Sequence, residues 1–181
     1  MLKRNDTAVS PVVGVMLMLV VTIIIAAIVS AYAGGIASEQ KKVPQAMISG
    51  TYSISNGFQI AHNGGDGLAL HDMVFVVRNG PMFGPNLERK TAQVLDKTLI
   101  ADRTGRSLDN GDGTSEVTSF RPGDVLYISA ENATGSRLQP GLADAEHLWF
   151  SNTTNIGNAF SLEVSDTGGN LISVSDVVIS P

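Results

Sequence analysis

The sequence predicts a mainly β protein with one long N-terminal α-helix: a hydrophobic helix joined to an antiparallel β-sandwich head. Three observations carry that prediction. No charged residue occurs between Asp6 and Glu39, and the run Val9–Ala33 is almost wholly apolar. From Ala46 onward the periodicity changes to the two-residue alternation of strands. Nineteen glycines, with aromatics at only 6%, suit many tight turns between short strands.

The helix comes first. An apolar run this long passes the length of about 20 residues needed to span a hydrocarbon core. Ser10 is placed to cap the first free amides, and Pro11 at the first helical position gives up a donor that has no partner there. Gly34-Gly35 marks a place where the helix can turn off or bend. Pro11 to Ala33 rises roughly 35 Å, enough to cross a bilayer with some tilt. A helix apolar on every side belongs in lipid or in a bundle of its own kind.

Composition bounds the remainder. With the helix set aside, the rest of the 181 residues fits one domain of common size. A net charge of −5 offers no basic patch to neutralise phosphates, which argues against a nucleic-acid partner. The chain has no cysteine, so disulfides, thiol catalysis and cysteine metal sites are excluded together.

The N-terminal stub MLKRNDTA is short and polar and carries Lys3 and Arg4. A basic stub before an apolar run has three readings. It is a secretory signal cut after Ala31-Tyr32-Ala33, whose apolar segment is too long for the usual signal. It is an uncleaved anchor. Or it is a leader cut between Ala8 and Val9, which leaves the helix as the mature N-terminus.

The segment DTAVSPVVGVMLMLVVTIIIAAIVSAYAGG resembles the N-terminus of archaeal type IV pilins. The resemblance implies a leader removed by a prepilin peptidase, with Ala8 its last residue and Val9 the first mature one. Ser10-Pro11-Val12-Val13-Gly14 corresponds to the family's opening run. Bacterial type IV pilins carry glutamate at the fifth mature position. Here that position is Val13, so the likeness is to the archaeal branch. Thr7 stands where many relatives have a charge. The resemblance further implies a pilin-like lollipop, self-assembly through the retained helix, and partnership with the prepilin peptidase and the pilus assembly machinery.

The helix sequence suits packing against its own kind. Ala26, Ser30 and Gly34 lie four apart, and so do Ala27, Ala31 and Gly35. Small residues at that spacing let helix backbones approach closely. Residues 36–45 form a stem, where Glu39, Lys41 and Lys42 return the chain to water and Pro44 stops any continuing helix. Lys3 and Arg4 are matched by Lys41 and Lys42, so charge alone barely sets orientation. The leader, too short to be anything but a retained flank, is placed on the cytoplasmic side. The chain thus divides into leader 1–8, helix 9–35, stem 36–45 and head 46–181.

In the head, AMISGTYSIS and GFQIAH flank Asn56-Gly57, a strong hairpin signal. The dense apolar run at the end of Leu68–Val77 predicts a fully buried central strand, closed by Asn79-Gly80-Pro81 and Gly84-Pro85. Ala92–Ile100 reads as a short helix or an edge strand. Glu116–Phe120 and Asp124–Ala130 bracket an Arg121-Pro122-Gly123 turn. His147–Phe150, Ala159–Val164 and Leu171–Ile179 complete the strands, the last two joined through Asp166-Thr167-Gly168-Gly169-Asn170. Strands so spaced, with no helices between, point to an antiparallel sandwich or barrel.

Residues for chemistry are few. No pair among His62, His71 and His147 has metal-ligand spacing on one element, so they read as structural. His62-Asn63-Gly64-Gly65-Asp66 reads as a tight turn between strands. Asp109, Asp112 and Glu116 offer oxygens to a calcium ion, but Gly111 occupies a ligand position and Gly113 comes one residue early, so a solvated loop is the default. No serine lies in a nucleophile elbow. Asn132-Ala133-Thr134 and Asn152-Thr153-Thr154 are sequons that accept a glycan if the head lies outside the cell, whereas Asn5-Asp6-Thr7 belongs to the leader. No catalytic, cofactor or metal site emerges. The sequence reads as a structural filament subunit, inserted in the membrane as a precursor and then exposed on the surface. The alternative is a monomeric, membrane-anchored outward-facing domain, either a binding module or a minor filament component.

Overall fold

The computed structural model describes residues 11–36, 42–87 and 89–181. The chain divides into two compact units, Met1–Lys42 and Val43–Pro181. In the first, helix α1 runs from Pro11 to Ile36. It continues through Gly34-Gly35, where the sequence suggested a stop or bend. Two glycines weaken a helix by about 1 kcal/mol each, but propagating a ladder already formed is far easier than starting one.

The second unit is built from ten strands. They are β1 (Ala46–Ser53), β2 (Gly57–Gly65), β3 (Leu68–Ala69), β4 (Met73–Asn79), β5 (Gln93–Val94), β6 (Ala101–Asp102), β7 (Ser119–Phe120), β8 (Val125–Ile128), β9 (Ala159–Asp166) and β10 (Leu171–Ser180). Eight form one sheet in the order β5-β4-β9-β10-β1-β2-β8-β6, and β3 pairs with β7 separately. Every neighbour is antiparallel except β1 and β10, which run parallel with Tyr52 opposite Ile179 and Ser53 opposite Ser180. The strands expected as a β-sandwich therefore lie in one continuous ladder, because that short pair joins two four-stranded antiparallel halves.

The halves share one core. The rings of Tyr52 and Phe58, from β1 and β2, lie edge-on to Phe160 of β9 at 5.8 and 5.6 Å, and Phe150 stacks on Phe160 at 3.9 Å. All four rings are essentially inaccessible to water. Gly50 makes the close approach of the halves feasible, since a Cβ there would fall 2.5 Å from Val177 Cγ2 of β10. Away from the paired end, the Ser173 hydroxyl seals the seam. It accepts from Ile48 N (3.1 Å) and donates to Ile48 O (3.3 Å).

Several expected turns are present. Residues 54–56 link β1 to β2, and Gly57 follows with a left-handed φ of 87°. A side chain there would also meet Ile128 O at 2.2 Å. Asp124 N donates to Arg121 O across the Arg121-Pro122-Gly123 turn, and Asp166 N donates to Asn170 O in the β9–β10 hairpin.

Other expectations need correction. Leu68–Val77 is interrupted by a 3-10 turn at Leu70–Asp72. The Lys97 ammonium donates to Leu70 O (3.0 Å) and His71 O (3.1 Å), occupying carbonyls that a strand partner would use. In β4 burial alternates, so Phe75 and Val77 face the core while Val74 and Val76 are only half-buried. The strand is covered on one face, not two. Ala92–Ile100 holds both of its alternatives, β5 and a 3-10 turn at Lys97–Leu99. His62–Gly65 is not a turn. It continues β2 past a bulge opposite Met47 and Ile48.

His147–Phe150 is not a strand either. Its first residues belong to a 3-10 turn, Glu146–Leu148. Side-chain amides take the place of a neighbouring strand. Asn79 Nδ2 donates to Leu148 O (2.7 Å), and Asn155 Nδ2 donates to His147 O (2.9 Å) and Trp149 O (2.8 Å). Phe150 N donates to Gln139 Oε1 (2.8 Å), while Gln139 Nε2 donates to Asn79 Oδ1 (2.9 Å). Asn79, Gln139 and Asn155 are buried, and these hydrogen bonds to each other and to backbone groups are what make their burial tolerable.

Candidate functional site

The candidate site is the surface of α1. Its 26 residues rise about 39 Å, more than the roughly 30 Å of a hydrocarbon core. Every described side chain from Pro11 to Ala33 is exposed, including Leu17 at 65%, Met18 at 71% and Ile28 at 57%. Its first turn holds no acidic residue and its last turn no basic one. The Thr22 hydroxyl donates to Leu19 O (2.9 Å), which satisfies a polar group inside the helix itself. Among the described residues of its own unit, none covers this surface. Left in water, so large an apolar surface drives association.

The proposed packing residues lie on this element. Ala26, Ala27, Ser30 and Ala31 are exposed, and Gly34 and Gly35 fall within the helix. Steps of four residues turn about 40°, so the two stripes occupy adjoining sectors of one side. Pro11 is the first described residue of the helix, where its missing N–H costs nothing. Gly14 lies in the first turn of the helix, and a Cβ there would meet nothing within 4 Å. Neither turn geometry nor crowding inside the chain requires that glycine. Ala8, Val9 and Ser10, the cleavage pair and the cap, lie outside the described residues.

The head's polar residues are occupied with structure. His62 is buried and edge-on to Phe120, with ring centroids 5.0 Å apart. Its Nε2 lies 3.0 Å from Asp66 O and must carry the proton, since a carbonyl only accepts. His71 contacts its neighbour Asp72 at 3.1 Å, and His147 is exposed. Asp109 Oδ1 accepts from Gly111 N (2.8 Å) and Glu116 Oε2 accepts from Ser107 N (3.2 Å). Asp112 accepts from the Thr114 hydroxyl and amide, which hold its carboxyl below the usual range. These carboxylates turn onto nearby donors, and no group of three metal-binding side chains gathers among the described residues.

The sequon asparagines sit in ordered turns. Asn132 is half-buried, its Oδ1 accepting from the Arg137 guanidinium. Asn152, also half-buried, accepts from Thr154 N (3.0 Å) and Oγ1 (2.8 Å) and caps the 3-10 turn Thr153–Asn155.

Comparison with known proteins bears on the N-terminal segment that holds the helix. Residues 7–48 match the family model described as archaeal type IV pilin, N-terminal. The match spans the expected cleavage boundary, α1, the stem and the first residues of β1. No curated protein matches the chain. The chain thus carries a pilin-like N-terminus, and the pilin family is structural rather than enzymatic.

Proposed function

We propose that the protein is a structural subunit of an archaeal type IV pilus-like surface filament, assembled through α1 after its leader is removed. The observation that carries this is a 26-residue apolar helix exposed along its described length, within a segment that matches archaeal pilin N-termini. The division is leader 1–8, helix 9–35, stem 36–45 and head 46–181. A prepilin peptidase cuts between Ala8 and Val9. Before assembly the helix spans the membrane with the leader on the cytoplasmic side and the head outside. On assembly it leaves lipid for a core of identical helices, where the Ala26/Ser30/Gly34 and Ala27/Ala31/Gly35 stripes let backbones approach. Packing of this kind needs no water-driven force between helices. Asn132 and Asn152 become glycan acceptors once the head is outside.

The processing step supplies the test. Mass spectrometry of the sheared surface fraction should find a mature N-terminus at Val9. An N-terminus at Gly34 would instead show an ordinary secretory signal. An intact Met1 on a membrane-bound monomer would show a plain anchor.

A further inference from the structure

One of the two sequons in the head opens onto a cavity. After β8 the chain turns back, with Asn132 N donating to Ser129 O (2.9 Å), which sets Asn132 beside the strand that carries Tyr127. Both residues line a cavity of about 520 Å³ next to β6 and β8. Leu99 and Tyr127 are half-buried there and mostly apolar, whereas Asn56 and Arg103 are exposed and offer hydrogen bonds. Asp102 also lines it, but its carboxylate is taken by the Thr104 hydroxyl (2.7 Å) and the Arg106 guanidinium (2.6 Å). An aromatic ring beside side chains that donate and accept suits a molecule with apolar C–H faces and a fringe of hydroxyls, which is a saccharide. The Asn132 amide is turned for attachment. The Arg137 guanidinium only donates, so the atom facing it is Oδ1. Nδ2, the atom to which a glycan is joined, makes no hydrogen bond among the described residues and is open to solvent. Asn152 differs, since its Nδ2 donates to Glu146 O (3.3 Å).

We propose that this cavity holds the chain's own glycan, the first sugars on Asn132 lying back against Tyr127 instead of projecting into solvent. The inference rests on the reading of Asn132 as a glycan acceptor. Attachment selects the occupant. A free sugar must offset its lost translational freedom with the few contacts an open cavity provides. A sugar tethered to a residue that lines the cavity acts at an effective concentration of about millimolar, so weak contacts are enough to order it. Lying there, the glycan shields Leu99 and Tyr127 from water and ties the turn after β8 to β6. It therefore adds to the stability of the head.

Glycopeptide mass spectrometry of the full chain from its own cells should find Asn132 occupied. A double-mutant cycle then reads the contact. Thr134→Ala removes the sequon and leaves the Asn132–Arg137 bond in place, whereas Thr134→Ser keeps the sequon. In denaturant unfolding of the full chain in detergent, Thr134→Ala should lower the folding equilibrium constant about 2- to 12-fold, the span of one net hydrogen bond. Thr134→Ser should match the wild type. Tyr127→Val suits a strand but removes the ring, and Thr134→Ala made on top of it should cost almost nothing further. Arg103→Ala, at an exposed position, supports the same cycle if the ring is needed for folding. The coupling should vanish in chain made in a host that adds no glycan. Full additivity, or coupling that persists without glycan, would overturn the proposal, since the sugar would then act without touching the cavity. An unoccupied Asn132 would overturn it together with the glycan-acceptor reading, and a mature N-terminus at Val9 would still support the filament.

Discussion

The helix and the head solve the same problem in opposite ways. In the head each long strand turns alternate side chains inward, and the apolar groups find their partners within 139 residues of one chain. In α1 the side chains from Pro11 to Ala33 are all exposed, and the described residues of that unit offer them no cover. The head is stabilised from inside. The helix must be stabilised from outside, by lipid or by other copies. Damage to the head's core should therefore be read as unfolding, and damage to the helix as failed association.

The largest effect should come from Phe160→Ala. Its ring lies at the meeting point of Tyr52, Phe58 and Phe150 and is 1% exposed, so truncation should cost about 3–5 kcal/mol. Leu19→Ala in the exposed helix should leave the head's denaturant midpoint unchanged. A matching loss from Leu19→Ala would show that the head's stability depends on α1.

Next comes the buried amide network. Gln139→Leu leaves Phe150 N and Asn79 Oδ1 without their partner, which should cost about 2–3 kcal/mol in the same denaturation experiment.

A third effect depends on pH. Burial pushes the Tyr52 hydroxyl up to about 12 from its ordinary 10.0, while the group donates to Ala133 O at 2.9 Å. The folded state thus keeps a proton that the unfolded chain releases. That contribution is complete below pH 10 and is lost as pH rises toward 12, by at most about 3 kcal/mol. Tyr52→Phe should lower stability by about 1–2 kcal/mol at neutral pH, because the buried Ala133 carbonyl loses its donor. It should also flatten the decline between pH 10 and 12 measured by circular dichroism.

The smallest effect should come from removing the helix altogether. Residues 43–181, expressed alone, should give a strand-rich spectrum and one cooperative transition with an unchanged midpoint. Aggregation or a helix-rich product would mean that the head depends on α1 for its core.

The helix was legible because its signal is compositional: 32 uncharged residues in a row leave few alternatives. The Asn56-Gly57, Arg121-Pro122-Gly123 and Asp166–Asn170 turns were legible because glycine or proline sets their geometry locally. What escaped were elements settled by partners far along the chain. Nothing in HLWF shows that Asn79, Gln139 and Asn155 will occupy its backbone, and nothing near Leu70 announces Lys97. In β4 the pattern was visible but its meaning was not. MVFVV correctly signals apolar groups on both faces, but the run alone cannot show that only one of them is covered. The small residues of α1 pose a related question, since their spacing is local and their partner is not.

In the proposed filament copies of α1 are one another's partners, and close approach is what to obstruct. Ala27→Leu with Ala31→Leu keeps the helix apolar and able to enter a membrane but fills one stripe. Electron microscopy of sheared cells reads filament assembly, and immunoblots of the membrane fraction read insertion. We expect processed subunit at normal level in the membrane and no filaments on the surface. Abundant normal filaments from the double variant, beside those of the wild type, would contradict it.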